Sequence, residues 1–342
     1  MGRLLLKSPP VGQGLHLDPA APDAPPPSPP TGSVTGRAQH SEAFDRFRDA
    51  LVVDPGGDVR GGVLDDLSTY FALEPDECVR RCLHWEESSV AEWFEHDRGT
   101  PAGLLDFYRT TQSWAFDLLW HAYLQAEGYG FPASVIAAWF LHERGVAPGS
   151  HLDFGSGVGV TSQLFASLGY ETQLADVSTS LLDFARFRLE RRGESATYVD
   201  LGTAGLASAR FDVVTAIDTL AHVPDSAETA RQLHAALRPG GWLFANVDVR
   251  TPGRASAWHI QDDAARVALD LRRVGFRPRG VLDGLPVYQR GAAPGPVGRA
   301  RARGRHLAVS NPVGSVARRV RWPTYSKIRR KLARRVPPPA TP

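Results

Sequence analysis

The stretch that most constrains this chain is His151-Leu-Asp-Phe-Gly-Ser-Gly-Val-Gly159. A short apolar run ends at Asp153 and meets glycines at alternate positions, Gly155, Gly157 and Gly159, after which Val160 to Leu168 read as a helix. That order is strand, tight turn, helix start. Glycine is needed where the backbone turns with positive φ or lets a ligand approach closely, and the N–H groups that open a helix favour a polar or anionic ligand group. The loop is therefore a cradle for something nucleotide-like, and the strands that follow have to say which nucleotide.

At 342 residues the chain holds one large domain or two ordinary ones, with ample material for a core. Its formal charge of +2 hides a segregation. No acidic residue follows Asp283, whereas 14 of the 39 basic residues do; the 25 that remain stand against 37 acidic ones, so residues 1–283 carry about −12. The globular part is acidic and the tail strongly basic. Cys78 and Cys82, the only cysteines, fall four apart on one helical face. Without a second pair they make neither a zinc site nor a redox motif, and they read as buried reduced thiols. Leu4 to Leu6 is too short for a signal-peptide core and no apolar run approaches the length of a membrane span, so a reducing, cytoplasmic setting is expected.

Residues 1–40 hold nine of the 27 prolines and almost no periodic apolar residues, which reads as a disordered leader. Residues 41–147 are helical in pattern and read as an all-α cap or substrate domain. Pro75 with Asp76 and Glu77 suits a first helical turn, Thr100-Pro101 opens a second helix whose stripe runs from Leu104 to Tyr123, and Pro132 begins a third. Trp85, Trp93, Trp114, Trp120 and Trp139 all precede the loop. Core packing accounts for most such rings; the functional alternative is a wall or lid over the glycine loop.

From about residue 148 short apolar runs alternate with helical segments. This predicts an α/β, Rossmann-like, doubly wound and mostly parallel sheet. The runs are 151–154, 170–176, 196–199, 211–217 and 241–247, with helices near 160–168, 178–192, 225–238 and 261–274. Pro239-Gly240-Gly241 should stop a helix before the fifth strand. Asp283-Gly284 joins two further runs as a hairpin, so the sheet should end in an antiparallel pair near residue 291.

Taken together, Leu-Asp153-Phe-Gly155-Ser-Gly157-Val-Gly, Leu-Ala-Asp176-Val-Ser, Tyr-Val-Asp200-Leu201, Phe-Asp-Val-Val-Thr-Ala-Ile-Asp218-Thr-Leu-Ala-His222-Val-Pro and Leu237-Arg-Pro-Gly-Gly-Trp-Leu resemble the class I S-adenosylmethionine-dependent methyltransferases over roughly residues 148–290. The resemblance implies S-adenosyl-L-methionine as cofactor. Gly155 and Gly157 would pass against its methionine portion, and Asp153 would help hold that end. Asp176, 23 residues beyond Asp153, would accept from the ribose hydroxyls. Asp200 would accept from the adenine amino group, Leu201 would pack on the ring, and Asp218 would sit at the end of strand four. A nicotinamide enzyme also places an acid after its second strand, but its fingerprint wants a third glycine where this chain has Val160.

Bland readings stand beside these. Asp176 and Asp200 could be caps or turn acids, and Asp218 could only order a loop. His222 is the candidate general base, although Ala221 occupies the place where many family members have a glutamate. No clear metal constellation is present, so no metal is expected; Asp218, Asn246 and Asp248 are the oxygen ligands that could be imagined. The polar-Pro-Pro-aromatic motif of amino-methylating nucleic-acid enzymes is absent, which makes nucleic acid an unfavoured partner.

After residue 292 the basic tail carries Trp322, Tyr325, Ile328, Leu332 and Val336 at helical spacing among Lys and Arg. A helix over 322–336 would suit an anionic membrane surface, which would make a cytoplasmic protein peripheral to the membrane. The expected function is methyl transfer to a small-molecule acceptor such as a sugar, a lipid-linked compound or a specialised metabolite. The alternative is a catalytically silent methyltransferase-like scaffold localised by its basic tail.

Overall fold

A computed structural model describes residues 29, 32–97, 100–249, 258–292 and 295. Most of the expected leader and the whole 322–336 helix lie outside the described residues. Eight helices come first: α1 (Val34–Ala38), α2 (Glu42–Asp49), α3 (Val59–Phe71), α4 (Pro75–Leu83), α5 (Trp85–Glu95), α6 (Pro101–Thr110), α7 (Ser113–Ala126) and α8 (Ala133–Glu143). Their starts follow the local chemistry. Asp58 accepts from the amides of Arg60 and Gly61 to cap α3, Pro75 opens α4 ahead of two acids, and the Thr100 hydroxyl caps α6.

Two expectations change here. α1 falls inside the stretch read as a leader: Ser33 caps it, Ala38 is buried, and Thr35 donates through its amide and hydroxyl to Asp283. The stripe from Leu104 to Tyr123 is two helices. Thr111 has an extended ψ of 118° and its hydroxyl bonds back to the Phe107 carbonyl, so α6 ends and α7 starts afresh at Ser113.

The second half alternates as the sequence predicts: β1 (Ser150–Phe154), α9 (Val160–Ser167), β2 (Glu171–Asp176), α10 (Thr179–Arg191), β3 (Thr197–Asp200), β4 (Phe211–Ala216), α11 (Ser226–Ala236), β5 (Leu237–Ala245), α12 (Ala264–Val274), β6 (Phe276–Leu282) and β7 (Leu285–Arg290). The strands form one sheet of order β3-β2-β1-β4-β5-β7-β6, parallel except that β7 runs antiparallel to both neighbours. Asp283 and Gly284 both have positive φ, as a two-residue hairpin turn requires. β5 starts earlier than expected: Leu237 already pairs with Phe211, and Arg238 to Gly241 bulge out before Trp242 pairs with Val213.

The order reverses between β1 and β4, and ligands gather at such a switch point, beyond the carboxyl ends of the strands. One face of the sheet is covered by α11 and α12 through Leu233, Val267 and Leu271. The other shares a continuous core with the leading helices, running from Phe47, Leu119 and Ile136 into Phe165, Phe184 and Phe244. Phe140 of α8 meets the rings of Trp242 and Phe244 edge-on.

Candidate active site

The glycine loop is held from below by the neighbouring strand. The amides of Gly155 and Ser156 donate to the Ala175 carbonyl at 2.7 and 3.3 Å, and that of Gly157 donates to Asp176 Oδ2 at 2.9 Å. Gly155 has φ +71°, and a Cβ there would overlap the side chain of Thr219. Gly157 has φ +51°, and a Cβ would meet Leu118 of α7. A side chain would collide at Gly155 and be strained at Gly157, and both glycines line the ligand space with their backbone. The far side of the loop is fixed by Arg188, which is fully buried and donates from Nη1 to the Val158 carbonyl at 2.7 Å.

A cavity of about 1250 Å³ opens over this loop. At one end it is lined by Gly155, Gly157, Asp176 and Leu201; at the other by Tyr108, Trp114, His222 and Trp258. Pockets for a single small ligand run to roughly 1,000 Å³. Asp176 is nearly buried at the tip of β2, where its second oxygen accepts from the Ser178 amide at 2.9 Å. Loss of hydration pushes its carboxyl above the usual range, opposed by those amide donors. Asp218 has φ +53°, its amide donates to Asn246 Oδ1 at 2.8 Å and its carboxylate accepts from the Asn246 side chain; both residues line the cavity.

His222 stands at the aromatic end. Its Nδ1 lies 3.1 Å from the Trp258 carbonyl, which also accepts from the Tyr108 hydroxyl at 2.6 Å. A carbonyl only accepts, so Nδ1 of the imidazole carries a proton. Tyr108 is buried, and desolvation raises its phenol well above the ordinary value. The His259 ring lies 4.6 Å from that of His222, and its Nδ1 is 3.0 Å from the Asp248 carbonyl.

Two residues singled out by the sequence lie elsewhere. Asp153 is not on the cavity wall. Its carboxylate is turned into the sheet interior, accepting from Thr215 Oγ1 at 2.9 Å and Ser162 Oγ at 3.0 Å, and burial pushes its carboxyl up to about 6. Asp200 is not on the wall either. Arg109, at the C-terminal end of α6, takes both its oxygens, Nη2 to Oδ2 at 3.0 Å and Nη1 to Oδ1 at 3.3 Å, while the Gly202 amide donates to Oδ1 at 2.8 Å. Gly155, Gly157, Asp176, Leu201, Asp218 and His222 are brought together around the one cavity. Sequence reasoning missed Arg109, Trp258 and His259. The only available signal was their polar or aromatic character in segments without distinctive motifs.

The fold and cavity define an α/β domain whose glycine turn opens, at the switch point of the sheet, onto a cavity large enough for more than one small molecule. Residues 129–274 match the family model described as a methyltransferase domain, a span that takes in α8 and β1 to β5 and ends before the β6–β7 hairpin. The matched residues form a methyltransferase domain, the family whose motifs the sequence carries, and S-adenosylmethionine is the cofactor of such a domain. The chain is 33% identical over 118 residues to the ubiquinone biosynthesis O-methyltransferase of Albidiferax ferrireducens, covering 33% of this chain and 47% of that protein. It is 32% identical over 117 residues to that of Pseudomonas paraeruginosa, covering 33% and 50%. The chain thus spans about half the length of the curated relatives it matches. A solved S-adenosylmethionine-dependent methyltransferase from Mesorhizobium loti is 20% identical, covering 42% of this chain and 92% of the other, with a TM-score of 0.35.

Proposed function

We propose that this protein transfers a methyl group from S-adenosylmethionine to a hydroxyl of a small molecule held between α6, α7 and the carboxyl ends of the strands. The observation that carries the reading is the continuity of the cavity, which joins the glycine loop and Asp176 to the aromatic wall around His222. Gly155, Gly157, Asp176 and Leu201 would hold the donor, because the two glycines leave the backbone open to it and Asp176 can accept from vicinal hydroxyls. Bound there, the donor supplies an electrophilic methyl group on a good sulfonium leaving group. The apolar wall excludes water and orients the acceptor, which supplies much of the rate for such a transfer. His222 takes the acceptor's proton at Nε2, since the Trp258 carbonyl fixes its other proton on Nδ1.

The matched relatives are named as O-methyltransferases, which supports oxygen as the methylated atom. A cytoplasmic location, with residues 322–336 resting on an anionic membrane, belongs to this reading as a proposal. Among the described residues no helix is long and apolar enough to cross a membrane.

Calorimetry with S-adenosylmethionine tests the donor half of the reading. The wild-type chain should bind, and Asp176→Ala should weaken binding at least tenfold, about 1.4 kcal/mol. No binding by the wild type, or equal binding by both, overturns it. With a labelled donor and a panel of phenolic and alcoholic acceptors, His222→Gln should retain donor binding and lose roughly a hundredfold in kcat.

A further inference from the structure

The helix that roofs the cavity is fastened to the donor side of the sheet at one place. α6 contributes Leu104, Leu105 and Tyr108 to the cavity wall, and its C-terminal turn carries Arg109. Arg109 meets Asp200 with both guanidinium nitrogens, and the pair is partly buried, at 29% and 22% side-chain exposure. The same turn is bonded to the start of α10: the Ser180 hydroxyl donates to the Thr111 carbonyl at 3.2 Å and that of Thr179 to the Arg109 carbonyl at 3.4 Å. Asp200 is the register partner of Asp176 on the adjacent strand. The fastening therefore sits beside the carboxylate expected to hold the ribose, and beside Leu201, which lines the cavity where the adenine ring is expected.

We propose that α6 is a clasp over the adenosine half of the donor site and that Arg109 and Asp200 are positioning residues that keep it shut. This inference rests on the donor reading given above. Its physical basis is the planar fork. A guanidinium that hydrogen bonds one carboxylate oxygen through Nη1 and lies 3.0 Å from the other through Nη2 fixes direction as well as distance, and a partly buried pair is screened less than a surface one. The clasp ties donor exchange to α6, because Leu104 and Tyr108 move with the turn that Arg109 anchors. It also gives a use to a carboxylate at the end of β3 that does not line the cavity: it holds the roof.

The test is the release rate and affinity of S-adenosylhomocysteine, followed by tryptophan fluorescence in stopped flow and by calorimetry. The full chain is compared with Arg109→Gln, Asp200→Asn, the double variant and Arg109→Lys. A charge-assisted pair of this kind should slow release by roughly tenfold. Each single variant should therefore release the product faster by that factor, the double variant no faster than either single one, and Arg109→Lys by an intermediate amount. Release unchanged in Arg109→Gln, with wild-type binding intact, overturns the clasp. So does a larger effect of Asp200→Asn that adds to that of Arg109→Gln, since a carboxylate that contacts the adenine directly would behave in that way. A wild-type chain that binds no S-adenosylhomocysteine overturns the donor reading and the clasp together. If Arg109→Gln does not fold, raising the salt concentration on the wild type screens the same pair: faster release supports the clasp, and salt-independent release overturns it.

Discussion

Asp153 illustrates how a residue at the expected place can have an unexpected use. It hydrogen bonds Thr215, which in turn lies 2.9 Å from His151 Nε2, so a carboxylate and an imidazole share one hydroxyl inside the sheet. Burial pushes the acid up to about 6 and the imidazole down to about 3. An unfolded aspartate titrates near 3.9 and an unfolded histidine near 6.5. Between about pH 4 and 6 the native state thus holds an extra proton on Asp153, and stability falls as pH rises through that window. The native state lacks a proton on His151 between about pH 6.5 and 3, so that contribution falls as pH drops. Where the windows overlap the two slopes oppose each other. Asp153→Asn should remove one of them: relative to the wild type it should gain stability between pH 4.5 and 7.5, up to about 3 kcal/mol for a shift of two units. Urea unfolding of both proteins at the two pH values measures this, and a difference that stays constant with pH would contradict it. The strand, the turn and the position of Asp153 could be read from the sequence. The direction of its side chain could not, because Thr215 and Ser162 set it from other elements.

At the scale of elements, α10 was readable as a helix near 178–192, and the Ser178 hydroxyl caps it by accepting from the Leu181 amide, but its function in the fold was not legible. Arg188, Arg191 and Arg192 share one face and converge on Asp66 of α3, at 3.0, 2.8 and 2.8 Å. Asp66 and Arg188 are fully buried, and they are 122 residues apart in the chain. No periodicity announces a partner at that distance, whereas the strand-ending acids and glycines are local and therefore legible. Arg188 also donates to Val158, so the ion cluster connects α3 to the back of the glycine loop. Taking Asp66 away leaves a buried guanidinium without its counter-charge, a change that typically costs about 3–5 kcal/mol. Asp66→Ala should lose stability of that order in chemical denaturation and should also weaken donor binding. A loss under about 1 kcal/mol would place the cluster among ordinary surface pairs. The break between α6 and α7 was likewise hidden. The apolar stripe continues through it, and only the back-bonded Thr111 marks it.

At the scale of the molecule, the change of texture near residue 148 marks a change of secondary structure, while the packing runs straight across it. Phe47, Leu119 and Ile136 belong to the same core as Phe165 and Phe244, Asp66 is matched by arginines of α10, and Thr35 is bonded to the Asp283 hairpin. Helices that share a core with a sheet and anchor a buried charge on it cannot melt first without exposing both. The chain should therefore unfold in one calorimetric transition. S-adenosylhomocysteine at a hundred times its Kd stabilises the native state by about 2.7 kcal/mol. That should raise the midpoint of the single transition by roughly 5 °C for a core of this size. The helices ahead of the sheet should shift with it, although the donor loop lies in the second half of the chain. A thermogram with two transitions, of which only one moves with ligand, would mean that the helical half is energetically separate, that the shared core contributes little to cooperativity, and that α6 reports nothing of donor occupancy to the rest of the molecule.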